Sequence, residues 1–289
     1  MVIKIKKNKV KVSHSTDKEV PGKIRDKKGI LPGFWIKIIA TMVMLIDHIT
    51  ASVFLFFVPL LFKRGFTLGE MENIRTFLRA IGRLSFPLFC FLIVEGFIHT
   101  KNVKKYILSM LIFAFISEVP FDMAVFDSYF NTNHQNVFFT LFFGLLALHF
   151  LKKWKKNPFF QLSAILSIAT VSEVLGFDYG YRGILLIVTL YLFREKKSIK
   201  YLLSGIIVTL SYFDSILVVA LTSEQPLLEM MKIYSGNVAI CYSIFAMMSF
   251  FIMEMYNGEK GKNINKYIFY GFYPAHLLIL GLIKIHFQI

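Results

Sequence analysis

Apolar residues fill this chain in runs of about 20 positions, separated by short clusters rich in lysine, asparagine and glycine, which is the spacing a helix needs to cross hydrocarbon. Nine runs can be marked out, at about 34–58, 76–98, 104–124, 136–152, 159–176, 181–194, 199–221, 236–256 and 267–287, with ends good to a few residues. Each is best read as a helix, because backbone N–H and C=O groups inside a bilayer must find partners within their own segment. The sixth run is short enough to be re-entrant or to extend upstream. The pattern therefore predicts an all-α, polytopic transmembrane bundle of about nine helices.

Composition agrees with the pattern. Hydrophobic residues make up 56% of the 289, charged residues 18%, and the mean hydropathy is +0.60. That is more apolar surface than a soluble core can absorb. The net charge of +15 would suggest nucleic acid if it were spread evenly, but it is not. Eleven basic residues stand in the sequence up to and including Lys37, and further groups follow at Lys101, Lys104 and Lys105, at Lys152 to Lys156, at Arg194 to Lys200 and at Lys260 to Lys266. If the N-terminus is cytoplasmic, 25 of the 33 Lys and Arg fall on the inner side. This positive-inside bias predicts an N-in, C-out arrangement with an odd number of spans, and excludes nucleic acid as the reason for the charge.

Residues 1–30 carry ten Lys and Arg against three acids and lack the apolar core of a cleaved signal. They read as a basic cytoplasmic arm, disordered and attracted to anionic lipid. Residues 31–289 then form one transmembrane domain. Cys90 and Cys241 both fall in apolar runs and suggest neither a disulfide nor a metal site, and no CxxC, HExxH or phosphate-cradling glycine loop is present.

The informative residues are the polar ones at depths where hydrocarbon is expected. Asp47 and His48 lie in the middle of the first run. Lys37 precedes His48 by eleven residues, three helical turns plus ~20°, so the two share one face about 16 Å apart along the axis. Asp47 points ~100° away from His48 and cannot orient it directly. Its expected role is to face a neighbouring helix and fix the rotation of the first. The second run carries Arg75, Arg79 and Arg83; the first two read as interfacial, while Arg83 lies deep enough to need a carboxylate or a ligand, with Asp47 or Asp214 as the partner. Near its inner end stand Glu95 and, one turn on, His99. Glu118 and Asp122 bracket Pro120 at the outer end of the third run. His276 in the ninth run falls at the depth of His48, which favours a polar cavity between them.

Several strings together resemble the TraX family, named for the pilin N-acetylase of conjugative plasmids. They are Lys37-Ile-Ile-Ala40 followed by Met44-Leu-Ile-Asp-His48-Ile49, Arg79-Ala-Ile-Gly-Arg83-Leu-Ser-Phe-Pro87-Leu-Phe89 with Glu95-Gly96-Phe97, Val119-Pro-Phe-Asp122, Asn136-Val137 with Thr140-Leu141, Asp178-Tyr-Gly180, and Tyr273-Pro-Ala-His276-Leu277. The resemblance runs from about residue 34 to 287. It implies an integral acyltransferase of the bacterial cytoplasmic membrane that takes acetyl from cytoplasmic acetyl-CoA, with no metal. The Lys37-x10-His48 spacing is also similar to the Arg-x10-His motif of membrane acyltransferase-3 enzymes, with lysine where that family has arginine. A lysine holds phosphate as a point charge and not as a planar fork.

On this reading Lys37, helped by Lys101, Lys105 and Arg83, binds the donor. His48 acts as general base or forms an acetyl-histidine, with Asp47 and Glu95 beside it. Arg83, Tyr273 or Ser85 would stabilise the oxyanion, and Arg79, Asp178, Tyr273 and His276 line the cavity. The acceptor would be a peptide amine or a glycan hydroxyl. The competing class is a proton-coupled transporter or flippase with Asp47, Glu95, Asp214 and His276 as its relay. Such folds often carry internal repeats, and no convincing duplication of one half in the other is visible.

Overall fold

The computed structural model describes residues 29–222 and 236–287; nearly all of the expected basic arm lies outside them. The described residues are helical, in the order α1 (Gly33–Lys63), α2 (Leu68–Gly82), α3 (Ser85–His99), α4 (Val103–Val125), α5 (Val137–Lys153), α6 (Pro158–Val174), α7 (Gly180–Leu192), α8 (Lys197–Thr222), α9 (Gly236–Glu254) and α10 (Lys266–Phe287). Two isolated bridges, Leu31 with Tyr256 and Gln135 with Phe177, are the only β contacts among them.

Short polar signals start the helices where the apolar runs begin. Asn102, Asn136 and Asn157 each accept a backbone N–H from the first turn of α4, α5 and α6, and Pro158 opens α6, where its missing N–H costs nothing. Thr67 and Glu70 form a reciprocal capping box at the start of α2. That box starts the second span eight residues earlier than its apolar pattern does. The span is also divided: Pro87 sits in the first turn of α3 and cannot donate to the Arg83 carbonyl, so the ladder opens at Arg83 and Leu84.

Among the described residues, five segments are long and apolar enough to cross a membrane: α1, α2 with α3, α4, α9 and α10; α6 and α7 are apolar but shorter. Taking α2 and α3 as one passage, the chain runs back and forth nine times within the described residues. One end gathers Leu31, Tyr256 and the Lys197–Glu254 pair at 2.7 Å. The other gathers Gln135, Phe177 and the Lys284–Asp127 pair at 2.6 Å. Large apolar side chains such as Leu55, Phe115, Val174, Leu202 and Phe251 face outward, an arrangement that suits lipid and not water. This is a multi-pass membrane protein.

Two helix contacts hold the site together. α10 packs along α4, where Gly281 lies against Met123 and the buried Lys284 ammonium donates to the Ala124 carbonyl at 3.1 Å. α1 packs along α2, and a Cβ at Gly82 would run into the Asp47 side chain.

Candidate functional site

His48 and His276 come from the first and last helices and meet in the interior. His48 Nδ1 lies 2.7 Å from His276 Nε2, and the rings stack with centroids 5.0 Å apart and planes 13° from parallel. The other nitrogen of His276, Nδ1, lies 2.7 Å from the Phe272 carbonyl oxygen one turn back on α10. Tyr273 stands edge-on to both imidazoles, 5.8 Å from the His48 ring and 5.7 Å from that of His276. Its phenol oxygen faces the Val137 N–H at the start of α5.

Next to His48 on the chain but on another face of α1, Asp47 is bound by two arginines of α2. Arg83 Nη2 reaches its carboxylate oxygens at 2.7 and 2.9 Å, and Arg79 Nη1 reaches Oδ1 at 2.9 Å and the Asp47 carbonyl at 3.2 Å. Arg83 also donates to the Arg79 carbonyl at 3.2 Å and to the Tyr212 hydroxyl, and its guanidinium lies 5.2 Å from the Tyr242 ring centroid. Burying two cations with one carboxylate requires such dense partnering. Asp178, in the turn between α6 and α7, is within electrostatic reach of this cluster, and its carbonyl accepts the Thr140 hydroxyl.

A cavity of about 670 Å³ opens at the lysine-bearing end. Lys37, Lys260 and Lys266 stand in its wall with Asn263 and Asn265; deeper, it is lined by Met44, Phe138, Tyr270 and Tyr273. A volume of this size suits a small-molecule ligand. The segment after α9 forms one side of the mouth and is tied to α1: Gly33 N–H donates to the Glu259 carbonyl at 2.8 Å and Phe34 N–H to the Lys260 carbonyl at 3.0 Å. Those carbonyls satisfy amides that a helix start leaves without partners. Glu95 lies in the same wall, 3.4 Å from His99 Nε2 and hydrogen-bonded by Tyr256. Burial, and then the Glu95 carboxylate, push the Tyr256 phenol up to about 12, so it stays a donor.

The residues expected from sequence therefore fall into three places. Lys37, Glu95 and Tyr273 line the cavity. His48 and His276 form a pair just beyond its deep end, His48 one helical turn past Met44. Asp47, Arg79 and Arg83 form the ion cluster on the far side of α1, with Asp178 nearby and Ser85 buried at the start of α3. The contact expected between Asp47 and Arg83 is present, whereas Asp214 pairs with Arg182 instead. Arg79 is not an interfacial residue reaching for water; it is the second ligand of Asp47. Lys101 and Lys105 are exposed and outside the cavity wall. Glu118 bonds the Asn136 amide, and Asp122 accepts the Asn131 N–H at 2.7 Å, so both carboxylates serve the α4–α5 connection. Lys260 and Lys266 were not singled out as site residues, because in the sequence they belong to one more basic inner segment.

A multi-pass, all-α membrane protein with a buried histidine pair beside a lysine-rimmed cavity is the class defined by this fold and geometry. The family profile described as TraX protein matches residues 33–284, and the chain belongs to that family. It is 30% identical over 264 residues to the probable fimbrial assembly protein FimC, serogroup H1, of Dichelobacter nodosus, a match covering 88% of this chain and 96% of that protein. No solved structure matches.

Proposed function

We propose that this protein is a membrane acyltransferase that moves acetyl from acetyl-CoA to an amine or hydroxyl acceptor. The observation that carries this reading is the course of the cavity, from a rim of Lys37, Lys260 and Lys266 to a deep end at Tyr273, against which His48 lies. Three lysines suit the phosphates of the donor, held as point charges. The apolar wall of Met44, Phe138 and Tyr270 suits the pantetheine arm, which on this reading runs inward with its thioester toward Tyr273 and His48.

The lysine-bearing end faces the cytoplasm on this reading, in keeping with the positive-inside bias and with the side on which acetyl-CoA is made. The acceptor nitrogen or oxygen attacks the thioester carbonyl while the His48 imidazole takes its proton. The Tyr273 O–H donates to the developing oxyanion while its oxygen accepts the Val137 N–H. Collapse of the tetrahedral intermediate breaks the C–S bond, and the proton on His48 passes to the departing thiolate. The products are acetylated acceptor and free CoA, and no metal takes part. Asp47, clamped by Arg79 and Arg83, acts through the rotational setting of α1. Fimbrial assembly in the name of the Dichelobacter relative favours a pilin-like peptide amine over a glycan hydroxyl as acceptor.

Turnover of acetyl-CoA by the purified full-length protein, in detergent or in vesicles, tests the reading. Replacing His48 by Ala should lower kcat by about 10²- to 10⁴-fold, the range a general base supplies. A folded His48→Ala protein with full turnover would exclude His48 as the base, and absence of saturable acetyl-CoA binding by the wild type would exclude the activity.

A further inference from the structure

The two hydrogen bonds of His276 determine where the protons of the pair reside. The Phe272 carbonyl can only accept, so His276 Nδ1 carries a hydrogen. In a neutral His276 the other nitrogen, Nε2, is then a lone pair, and the 2.7 Å contact to His48 requires the hydrogen to sit on His48 Nδ1. A neutral His48 with hydrogen on Nδ1 bears its lone pair on Nε2. The alternative is a cationic His276 donating from both nitrogens, which would leave His48 with hydrogen on Nε2 and nothing to accept a proton. That form buries a cation at His276, whose ring nitrogens face only the Phe272 carbonyl and the His48 imidazole and which is paired with no carboxylate among the described residues. Burial without a paired carboxylate disfavours the charged imidazole.

We infer that His276 is a positioning residue, which holds His48 in the tautomer whose Nε2 is bare and so selects the nitrogen that takes the proton. The kinetic part of this inference rests on the acyl-transfer reading, and the tautomer does not. When His48 Nε2 gains the acceptor's proton, its Nδ1–H still faces His276 Nε2. The positive charge can be shared by moving that hydrogen across the 2.7 Å contact, His276 then donating to His48 and to the Phe272 carbonyl together. The carbonyl dipole occupies the position that a carboxylate holds in other relays. His48 thereby has a structural reason to be paired with a second imidazole and not with Asp47, its chain neighbour.

Nitrogen-15 NMR of the full-length protein labelled at histidine tests the tautomer directly, with His48→Ala and His276→Ala spectra assigning the signals. The expected result is protonated Nδ1 and bare Nε2 on His48 in the wild type, shifting toward Nε2–H in His276→Ala. A wild-type His48 bearing its hydrogen on Nε2 would overturn the inference whether or not the variants fold. In acetyl-CoA turnover, His276→Ala should lower kcat by at least ~10-fold, within the range that a positioned base supplies, and leave KM for acetyl-CoA unchanged. His276→Gln, whose amide oxygen can accept from His48 Nδ1, should recover part of the loss. Equal kcat for all three proteins would also overturn it. A wild type with the expected tautomer and no turnover would instead count against the acyltransferase reading alone.

Discussion

Asp47 and Glu72 are both carboxylates paired with arginine, and their surroundings give the two pairs very different weight. Asp47 is buried, its carboxylate hydrogen-bonded twice by Arg83 and ion-paired with Arg79 at 2.9 Å, whereas Glu72 meets Arg75 at 3.3 Å with both side chains in the open. Removing one partner of a buried pair leaves an uncompensated charge and typically costs about 3–5 kcal/mol. An exposed pair is worth about 0.2–1 kcal/mol. Asp47→Ala should therefore lower the thermal midpoint of the detergent-solubilised protein by many degrees, and Glu72→Ala by almost nothing. Comparable midpoints for the two variants would show that the Asp47 cluster does not brace α1. At this scale the sequence was informative about identity and less so about pairing. An ionisable residue in an apolar run is conspicuous, and depth alone placed His48 level with His276. The short contact between them depends on how α1 and α10 are rotated, and no single-helix argument contains that.

α1 and α2 approach closely because Gly82 has no side chain to hold them apart. Gly82→Ala forces either Asp47 or the helix axis to move, and should separate Asp47 from Arg83 while leaving each helix intact. Its expected signature is a loss of thermal stability without loss of helical circular dichroism; an unchanged midpoint would mean that the contact yields freely. The spans themselves were legible because the hydrophobic requirement of a bilayer dominates every local preference, and their ends fell within two residues except at the end of the first, which runs on through Pro59 to Lys63, and at the start of the second. That one starts early because Thr67 and Glu70 cap a turn that is polar and outside the apolar window. The break after Arg83 has a visible cause in Pro87, although a proline at this position predicts a bend as readily as a division.

Across the whole molecule, the cavity mouth draws on α1, α3 and the segment between α9 and α10, and this is where reading the chain in order fails. A helical wheel relates Lys37 to His48, but only the folded protein relates Lys37 to Lys260 and Lys266, more than two hundred residues away. By the same token Lys101 and Lys105, on the expected side of the membrane, point elsewhere. If the lysine rim holds the donor's phosphates, Lys37→Glu should raise KM for acetyl-CoA strongly while Lys37→Arg leaves it close to wild type. Lys260→Glu should behave like Lys37→Glu, and Lys101→Glu should have little effect. Each charge contact also weakens with ionic strength, so KM should rise with added salt in the wild type and less steeply in Lys37→Glu. Identical KM values across the series would move the donor away from this rim.

The pairing of His48 with His276 spans 228 residues of chain, and it has a bearing on biogenesis. α1 enters the bilayer first and α10 last, so a nascent protein carries half of the histidine pair and one lysine of the rim until synthesis is nearly over. The amides at the start of α1 likewise wait for the carbonyls of Glu259 and Lys260. A chain that stops short of α10 therefore lacks both the partner of His48 and the helix that packs on α1 and α4, and if the proposed donor site is right it should not bind acetyl-CoA.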